Sequence, residues 1–153
     1  MSKKIRTASK IAFALYAIVM LWLLFGQRFG WDAETPYLVQ LKEHYNFIPF
    51  KTILLFMRLA ENSTSQYWIR HALINLLGNV VMFVPLGLLP CIFTKLRSFI
   101  KYLSVVALII FAIETVQLFT LLGSMDIDDF LLNIVGALIG YLLFRLADKH
   151  VIF

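Results

Sequence analysis

The chain alternates between long stretches without a formal charge and short segments that carry charges. Residues 11–27 and 71–94 are uncharged, residues 102–123 are interrupted only by Glu114, and a fourth uncharged run covers residues 130–144. About 20 apolar residues in a helix, at ~1.5 Å each, cross the hydrocarbon layer of a membrane. The pattern therefore predicts four membrane-spanning helices, at about residues 11–27, 71–94, 102–123 and 127–146.

The segment between the first two spans, residues 28–70, has a different pattern. Within it the apolar residues of 47–59 are interrupted by Pro49, Lys51 and Arg58. This stretch is too short and too charged to cross a bilayer, so we expect an amphipathic helix on the extracytoplasmic surface of the membrane. Aromatic residues that flank it predict a belt at the membrane interface: Trp31, Tyr37, Tyr67 and Trp68.

Composition supports a membrane protein and excludes several other classes. Hydrophobic residues make up 61% of the chain, charged residues 15%, and the mean hydropathy is +0.83, whereas soluble domains are about 45–50% apolar. The single cysteine, Cys91, excludes a disulfide scaffold. The net charge of +5 is explained by basic residues that flank membrane spans, so it does not indicate a nucleic-acid partner. We therefore predict an all-α polytopic integral membrane protein that forms one domain over residues 1–153.

The distribution of basic residues predicts its orientation. Nine Lys and Arg residues lie before the first span, between the second and third spans, and after Phe144 near the end of the fourth, whereas five lie in residues 28–70. Because positive charges accumulate on the cytoplasmic side, we expect both termini in the cytoplasm.

Several polar side chains fall at membrane depth and share helix faces. Asn75 and Asn79 are four residues apart, and Glu114 and Gln117 are three apart. A stripe runs along the fourth span in steps of three and four residues: Asp126, Asp129, Asn133, Gly136 and Gly140. The predicted topology places these polar residues in the outer half of the membrane, so we expect a polar pocket among the second, third and fourth spans that opens outward.

Each of these residues also has a purely structural interpretation. Asn and Gln in spans often form interhelical hydrogen bonds, and Gly136-x-x-x-Gly140 is typical of close helix packing or of a homo-oligomer interface. Glu114 is the candidate functional acid, because a carboxyl group at that depth needs a partner or a water-filled cavity. No catalytic motif is present, the acidic residues after Ser124 do not form a calcium loop, and we expect no metal or cofactor.

A series of short motifs resembles the VanZ-like family between about Asn46 and Tyr141. The motifs are Asn46-Phe-Ile-Pro49-Phe50, Asn75-Leu-Leu-Gly-Asn79, Phe83-Val-Pro-Leu-Gly87, Glu114-Thr-Val-Gln117, and Asp126-Ile-Asp-Asp129 with Asn133. The resemblance implies a small bacterial cytoplasmic-membrane protein, in a family associated with resistance to the glycopeptide teicoplanin. Many members carry an arginine before the acidic turn, where this chain has residues 122–125, Leu-Gly-Ser-Met.

Three functions stay open at this stage. The first is binding of a lipid-linked cell-wall precursor or a lipoglycopeptide at the polar pocket, with membrane lipids as further partners. The second is an intramembrane enzyme that acts on a lipid or envelope headgroup with Glu114 as acid or base, although the sequence identifies no nucleophile. The third is a scaffold whose helices only pack.

Overall fold

The computed structural model describes residues 2–26, 32–62, 65–94 and 98–150. Within these ranges it contains six helices and two short strands. They are α1 (Lys3–Phe25), α2 (Tyr37–Glu43), β1 (Tyr45–Asn46), α3 (Lys51–Asn62), α4 (Gln66–Phe93), α5 (Phe99–Thr120), β2 (Met125–Asp126) and α6 (Ile127–His150). Four of the described helices, α1, α4, α5 and α6, are long and apolar enough to cross a membrane. The predicted all-α membrane fold with four spans is confirmed.

The ends of the spans differ from the predicted ones by a few residues. Helix α1 already begins at Lys3, because the Ser2 hydroxyl oxygen accepts a hydrogen bond from the Ile5 N–H at 3.3 Å and caps the helix. Helix α5 ends at Thr120 rather than at residue 123, since Leu121 takes a left-handed conformation with φ 55°. The predicted last residue of the first span, Gln27, and Trp31 of the aromatic belt lie outside the described residues.

Helices α4 and α6 form the closest helix pair of the bundle. A Cβ atom added at Gly136 or at Gly140 would lie 2.0 Å from a carbonyl oxygen of α4, and one added at Gly87 would lie 1.9 Å from the Ala137 carbonyl oxygen. Side chains at these positions would push the backbones apart, so the glycines permit the approach. The face that carries Gly136 and Gly140 is therefore buried against α4 of the same chain.

Aromatic packing joins α5 and α6 toward the end of the bundle that holds the start of α5. The rings of Tyr102 and Tyr141 stack with centroids 4.4 Å apart, and the Tyr102 hydroxyl donates a hydrogen bond to the Ala137 carbonyl oxygen at 2.5 Å. Helix α4 contains Pro85 and Pro90, which a spanning helix tolerates where neighbouring helices cover the freed backbone groups. These contacts form part of an apolar core shared by all four spans.

The opposite end of the bundle, where α3 lies, is closed by the long connection between α1 and α4. Strands β1 and β2 pair in parallel with Tyr45 beside Met125 and Asn46 beside Asp126, which fixes this connection to the start of α6. The predicted surface helix at 47–59 corresponds to α3, which begins later, at Lys51. Helix α2 was not predicted. We call this region, with α3, the strand pair and the start of α6, the α3 end.

Candidate functional site

The N-terminus of α3 is held by one buried carboxylate. Asp128 is 0% exposed, and its oxygens accept hydrogen bonds from the backbone N–H groups of Phe50, Thr52 and Ile53 at 2.5, 2.8 and 3.1 Å. The first N–H groups of a helix have no partner within the helix and attract a negative charge. Asp128 therefore caps α3 from a position 77 residues further along the chain than Lys51.

The predicted site did not include Asp128, and the sequence does contain one signal for it. Phe50, the residue before α3, has no side-chain oxygen, so it cannot cap the helix that it precedes. It also has φ 64°, a left-handed conformation that is unfavourable for a residue with a side chain. A helix start without a local cap requires an acceptor from elsewhere in the fold, and the acidic turn supplies it.

Asp126 joins the same region to the Asn46 motif. Its carboxylate accepts hydrogen bonds from the Thr52 hydroxyl at 2.5 Å, the Asn46 amide at 3.3 Å and the Asp128 N–H at 2.8 Å. Asp126 is 6% exposed. The motif of Asn46, Pro49 and Phe50 and the acidic turn are thus two halves of one structure, which fixes α3 to α6. Pro49 lies in the turn that leads into α3.

Two further hydrogen bonds join α6 to its neighbours α4 and α5. The Asn79 amide donates to an Asp129 carboxylate oxygen at 2.5 Å, and the Asn133 amide donates to a Glu114 carboxylate oxygen at 3.1 Å. Glu114 and Asn133 are each 3% exposed. A carboxyl group at membrane depth is costly unless it has hydrogen-bond partners, and Asn133 supplies one for Glu114.

Helix α1 is attached to the bundle by two more side-chain hydrogen bonds. Gln117 of α5 donates its amide to the Leu24 carbonyl oxygen at 3.3 Å, and the Tyr16 hydroxyl donates to the Met82 carbonyl oxygen of α4 at 2.9 Å. With the bonds from α6 to α4 and α5, these contacts connect the four spans in a closed ring: α1, α4, α6, α5 and back to α1. The candidate residues Asn79, Glu114, Gln117, Asp129 and Asn133 all belong to this ring.

Asn75 has a different environment from the ring residues. Its side-chain oxygen is buried without a hydrogen-bond partner among the described residues, as is that of Asn133, so Asn75 differs from the ring residues in the open space beside it. Asn75 lines a cavity of about 620 Å³ between α1 and α4, which we call the α1–α4 groove. It is lined by residues that include Tyr16, Met20 and Leu24 of α1 and Asn75, Gly78 and Asn79 of α4. His71 lies at one end of the groove, in contact with the rings of Phe56, Tyr67 and Trp68.

The α1–α4 groove does not lie among the second, third and fourth spans, where we expected a polar pocket. Among those spans the polar side chains bond directly to one another. A cavity of about 110 Å³ remains beside Glu114 and Asp126 and is walled by Phe47, Phe111 and Phe130. The larger groove involves the first span, which carries no buried acid or amide that would have revealed it. The spacing of polar residues along a helix predicts which of them share a face, but it does not predict which neighbouring helix packs against that face.

No cluster of three or more His, Cys, Asp or Glu side chains in the described ranges is placed to hold a metal ion. The acidic residues at the start of α6 instead accept hydrogen bonds from backbone and amide groups. Lys51, the first residue of α3, and Arg70, near the start of α4, are both exposed.

The fold and its bonds define a class of protein: a four-span helical membrane protein with a polar ring in its interior and a short helix fixed at one end. A family model described as VanZ/LLP1 matches residues 13–148. The chain belongs to the VanZ/LLP1 family, which confirms the resemblance seen in its motifs. It is 32% identical over 76 residues to Protein VanZ of Enterococcus faecium, an alignment that covers 50% of the chain and 47% of that protein. The match thus spans about half the length of this relative. No solved structure matches the chain.

Proposed function

We propose that the protein lowers bacterial susceptibility to teicoplanin-type glycopeptides by binding a lipid-linked envelope molecule near the polar ring. The observation that carries the proposal is the layer of Asn79, Glu114, Asp129 and Asn133, which join three spans by direct hydrogen bonds close to the α3 end. Polar groups are expensive at membrane depth and are kept there chiefly for function. The association of the family with teicoplanin resistance supports the choice of ligand.

In this proposal the α3 end faces the outside of the cell, where glycopeptides act. The support is the excess of basic residues at the other end, nine against five. The turn before α3 exposes Phe47, Ile48 and Phe50 by 57–61%, so these side chains enter the interfacial layer of the bilayer. The exposed Lys51 and Arg58 then meet lipid phosphates.

The enzyme alternative assigns proton transfer to Glu114. A cavity of about 110 Å³ does reach this residue, which is the observation in its favour. The reaction would hydrolyse or transfer a lipid or envelope headgroup, so membranes that contain the protein would accumulate a product of changed mass. The scaffold alternative requires only that the helices pack, and it makes the glycines of α6 essential but not Glu114.

The test compares teicoplanin and vancomycin susceptibility in a deletion strain that carries wild-type protein, Glu114→Gln or Asp129→Asn at equal membrane abundance. Both substitutions keep an oxygen that accepts the amide hydrogen bond and remove the acid. Glu61→Gln is the matched control, because Glu61 is an exposed acid on α3. We expect wild type and Glu61→Gln to protect against teicoplanin and the two interior variants to lose protection.

The outcomes separate the alternatives. Protection that is unchanged in both interior variants, and lost in Gly136→Leu, would support the scaffold and contradict the proposed site. A lipid product that mass spectrometry detects with wild type but not with Glu114→Gln would support the enzyme. If no form of the protein alters susceptibility to either antibiotic, the proposed function is wrong and only the membrane fold stands.

A further inference from the structure

The α1–α4 groove runs between a hydrogen bond that joins its two helices and a cluster of aromatic rings. At one end the Tyr16 hydroxyl reaches the Met82 carbonyl oxygen and joins the two helices. At the other end His71 lies against the aromatic rings of the α3–α4 junction. Between them the groove follows α4 from His71 to Pro85, which is about 21 Å of helix at ~1.5 Å per residue.

The groove exists because α1 is attached to two different helices. Tyr16 bonds to α4, whereas Leu24, about two turns further along α1, accepts a hydrogen bond from Gln117 of α5. The part of α1 between these points therefore leaves α4, and no side chain of α4 fills the gap at Gly78. A Cβ atom built on Gly78 has no heavy atom within 4 Å, in contrast to the tightly packed Gly136 and Gly140.

The rim of the groove faces the region that hydrocarbon occupies. Val19 of α1 and Ile74 and Val81 of α4 are 54%, 65% and 65% exposed, and all three lie on spanning helices. The medium beside a spanning helix is lipid rather than water, so lipid is what reaches the open side of the groove. The groove length exceeds half of the ~30 Å hydrocarbon thickness, so a chain of one leaflet fits along it.

We propose that the α1–α4 groove binds one acyl chain of a membrane lipid, which enters sideways between α1 and α4. Its polar linkage lies at the His71 end, beside the carboxamide of Asn75, and its methyl end lies toward Tyr16. The aromatic rings around His71 are typical of the headgroup level of a bilayer, which sets this direction. The inference deepens the proposed function by naming the part of a lipid-linked ligand that the protein holds, and it rests on that function for its biological meaning.

The test uses a phospholipid with a photoreactive diazirine in one acyl chain, in nanodiscs of phosphatidylethanolamine and phosphatidylglycerol that contain the full chain. After illumination, mass spectrometry maps the labelled residues. We expect labels to concentrate on residues 16–24 and 74–85. Gly78→Phe places a ring in open space and should reduce that labelling about tenfold, the change expected when roughly two methylene groups lose their burial.

Leu108→Phe is the matched control, because Leu108 is 68% exposed on α5 and lies away from the groove; it should leave the labelling unchanged. Val19→Phe blocks the rim from the α1 side and serves as the second variant if Gly78→Phe does not fold. Labels spread evenly over the exposed faces of all spans, or insensitive to both blocking variants, would overturn the acyl-chain site. Because no antibiotic is used, this result is independent of the susceptibility assay, and either can fail while the other holds.

Discussion

Replacing Asp128 with alanine tests whether one carboxylate holds α3 on the bundle. The side chain is fully buried and accepts three backbone hydrogen bonds from the start of α3. In Asp128→Ala these N–H groups lose their acceptor, and the left-handed Phe50, at φ 64°, loses the bond that fixes it. We expect α3 to separate from α6 while the four spans stay folded.

The magnitude follows from the number and kind of bonds lost. A hydrogen bond to a charged group contributes about 1.5–3 kcal/mol, but the three bonds share one carboxylate and do not add fully. These three bonds are themselves the cap of α3, so no separate capping energy is added, and release of the left-handed residue returns about 1 kcal/mol. A net loss of about 2–3 kcal/mol corresponds to a roughly 30- to 160-fold increase in the open population of α3.

Hydrogen exchange of the protein in nanodiscs, followed by mass spectrometry, measures this opening directly. Peptides of α3 should exchange faster in Asp128→Ala by that factor, whereas peptides of α5 should not change. Glu61→Ala is the control, since it removes an exposed acid from α3 itself. Unchanged exchange of α3 in Asp128→Ala, or an equal acceleration in all helices, would refute the proposed tether.

Two other predictions concern separate parts of the molecule. Gly136→Ala places a Cβ atom 2.0 Å from the Val80 carbonyl oxygen and should destabilise the bundle by about 1–3 kcal/mol. A side chain at Gly78 meets open space, so Gly78→Ala should stabilise α4 by up to about 1 kcal/mol. The unfolding temperature in detergent should therefore fall for Gly136→Ala and rise for Gly78→Ala. A shift of the same sign in both variants would contradict the close packing at Gly136. The Thr35 hydroxyl donates to Asp32 at 2.6 Å and lowers the pKa of Asp32 from its usual 3.8. The turn at Asp32 should keep this stabilisation above pH 3.8 and lose it as pH falls through the lower folded-state pKa, which NMR titration of Thr35 would detect; an Asp32 that titrates at or above 3.8 would exclude it.

The spans and the layer of interior polar residues were predictable because each depends on properties of a single helix. Hydrocarbon requires long uncharged runs, and a polar residue within such a run marks a depth. The steps of three and four residues from Asp129 to Gly140 predicted one face, and α6 does present this face to α4 and α5. The structural part played by Gly136 follows from the same pattern, since a small residue on a contact face permits close approach.

The cap of α3 and the α1–α4 groove depend on contacts between distant segments. Asp128 holds α3 only because β1 and β2 bring the two segments together, and no local pattern encodes that pairing. The groove depends on the attachment of α1 to two partners, through Tyr16 and Leu24, and in both cases the acceptor is a backbone carbonyl of an apolar residue. Such an acceptor leaves no trace in a hydropathy profile.

The acidic turn at the start of α6 gives three neighbouring carboxylates three different tasks. Asp126 holds the Asn46 motif, Asp128 caps α3, and Asp129 reaches Asn79 of α4. Glycine contacts already close α4 against α6 below this level, and a hydrogen bond between spans adds only about 0.6 kcal/mol on average. Helix packing therefore does not require the Asn79–Asp129 bond, which supports the proposal that the polar layer binds a ligand. Because the same turn of α6 holds α3, a ligand that bound as proposed and displaced this bond would also act on the residues that fix α3.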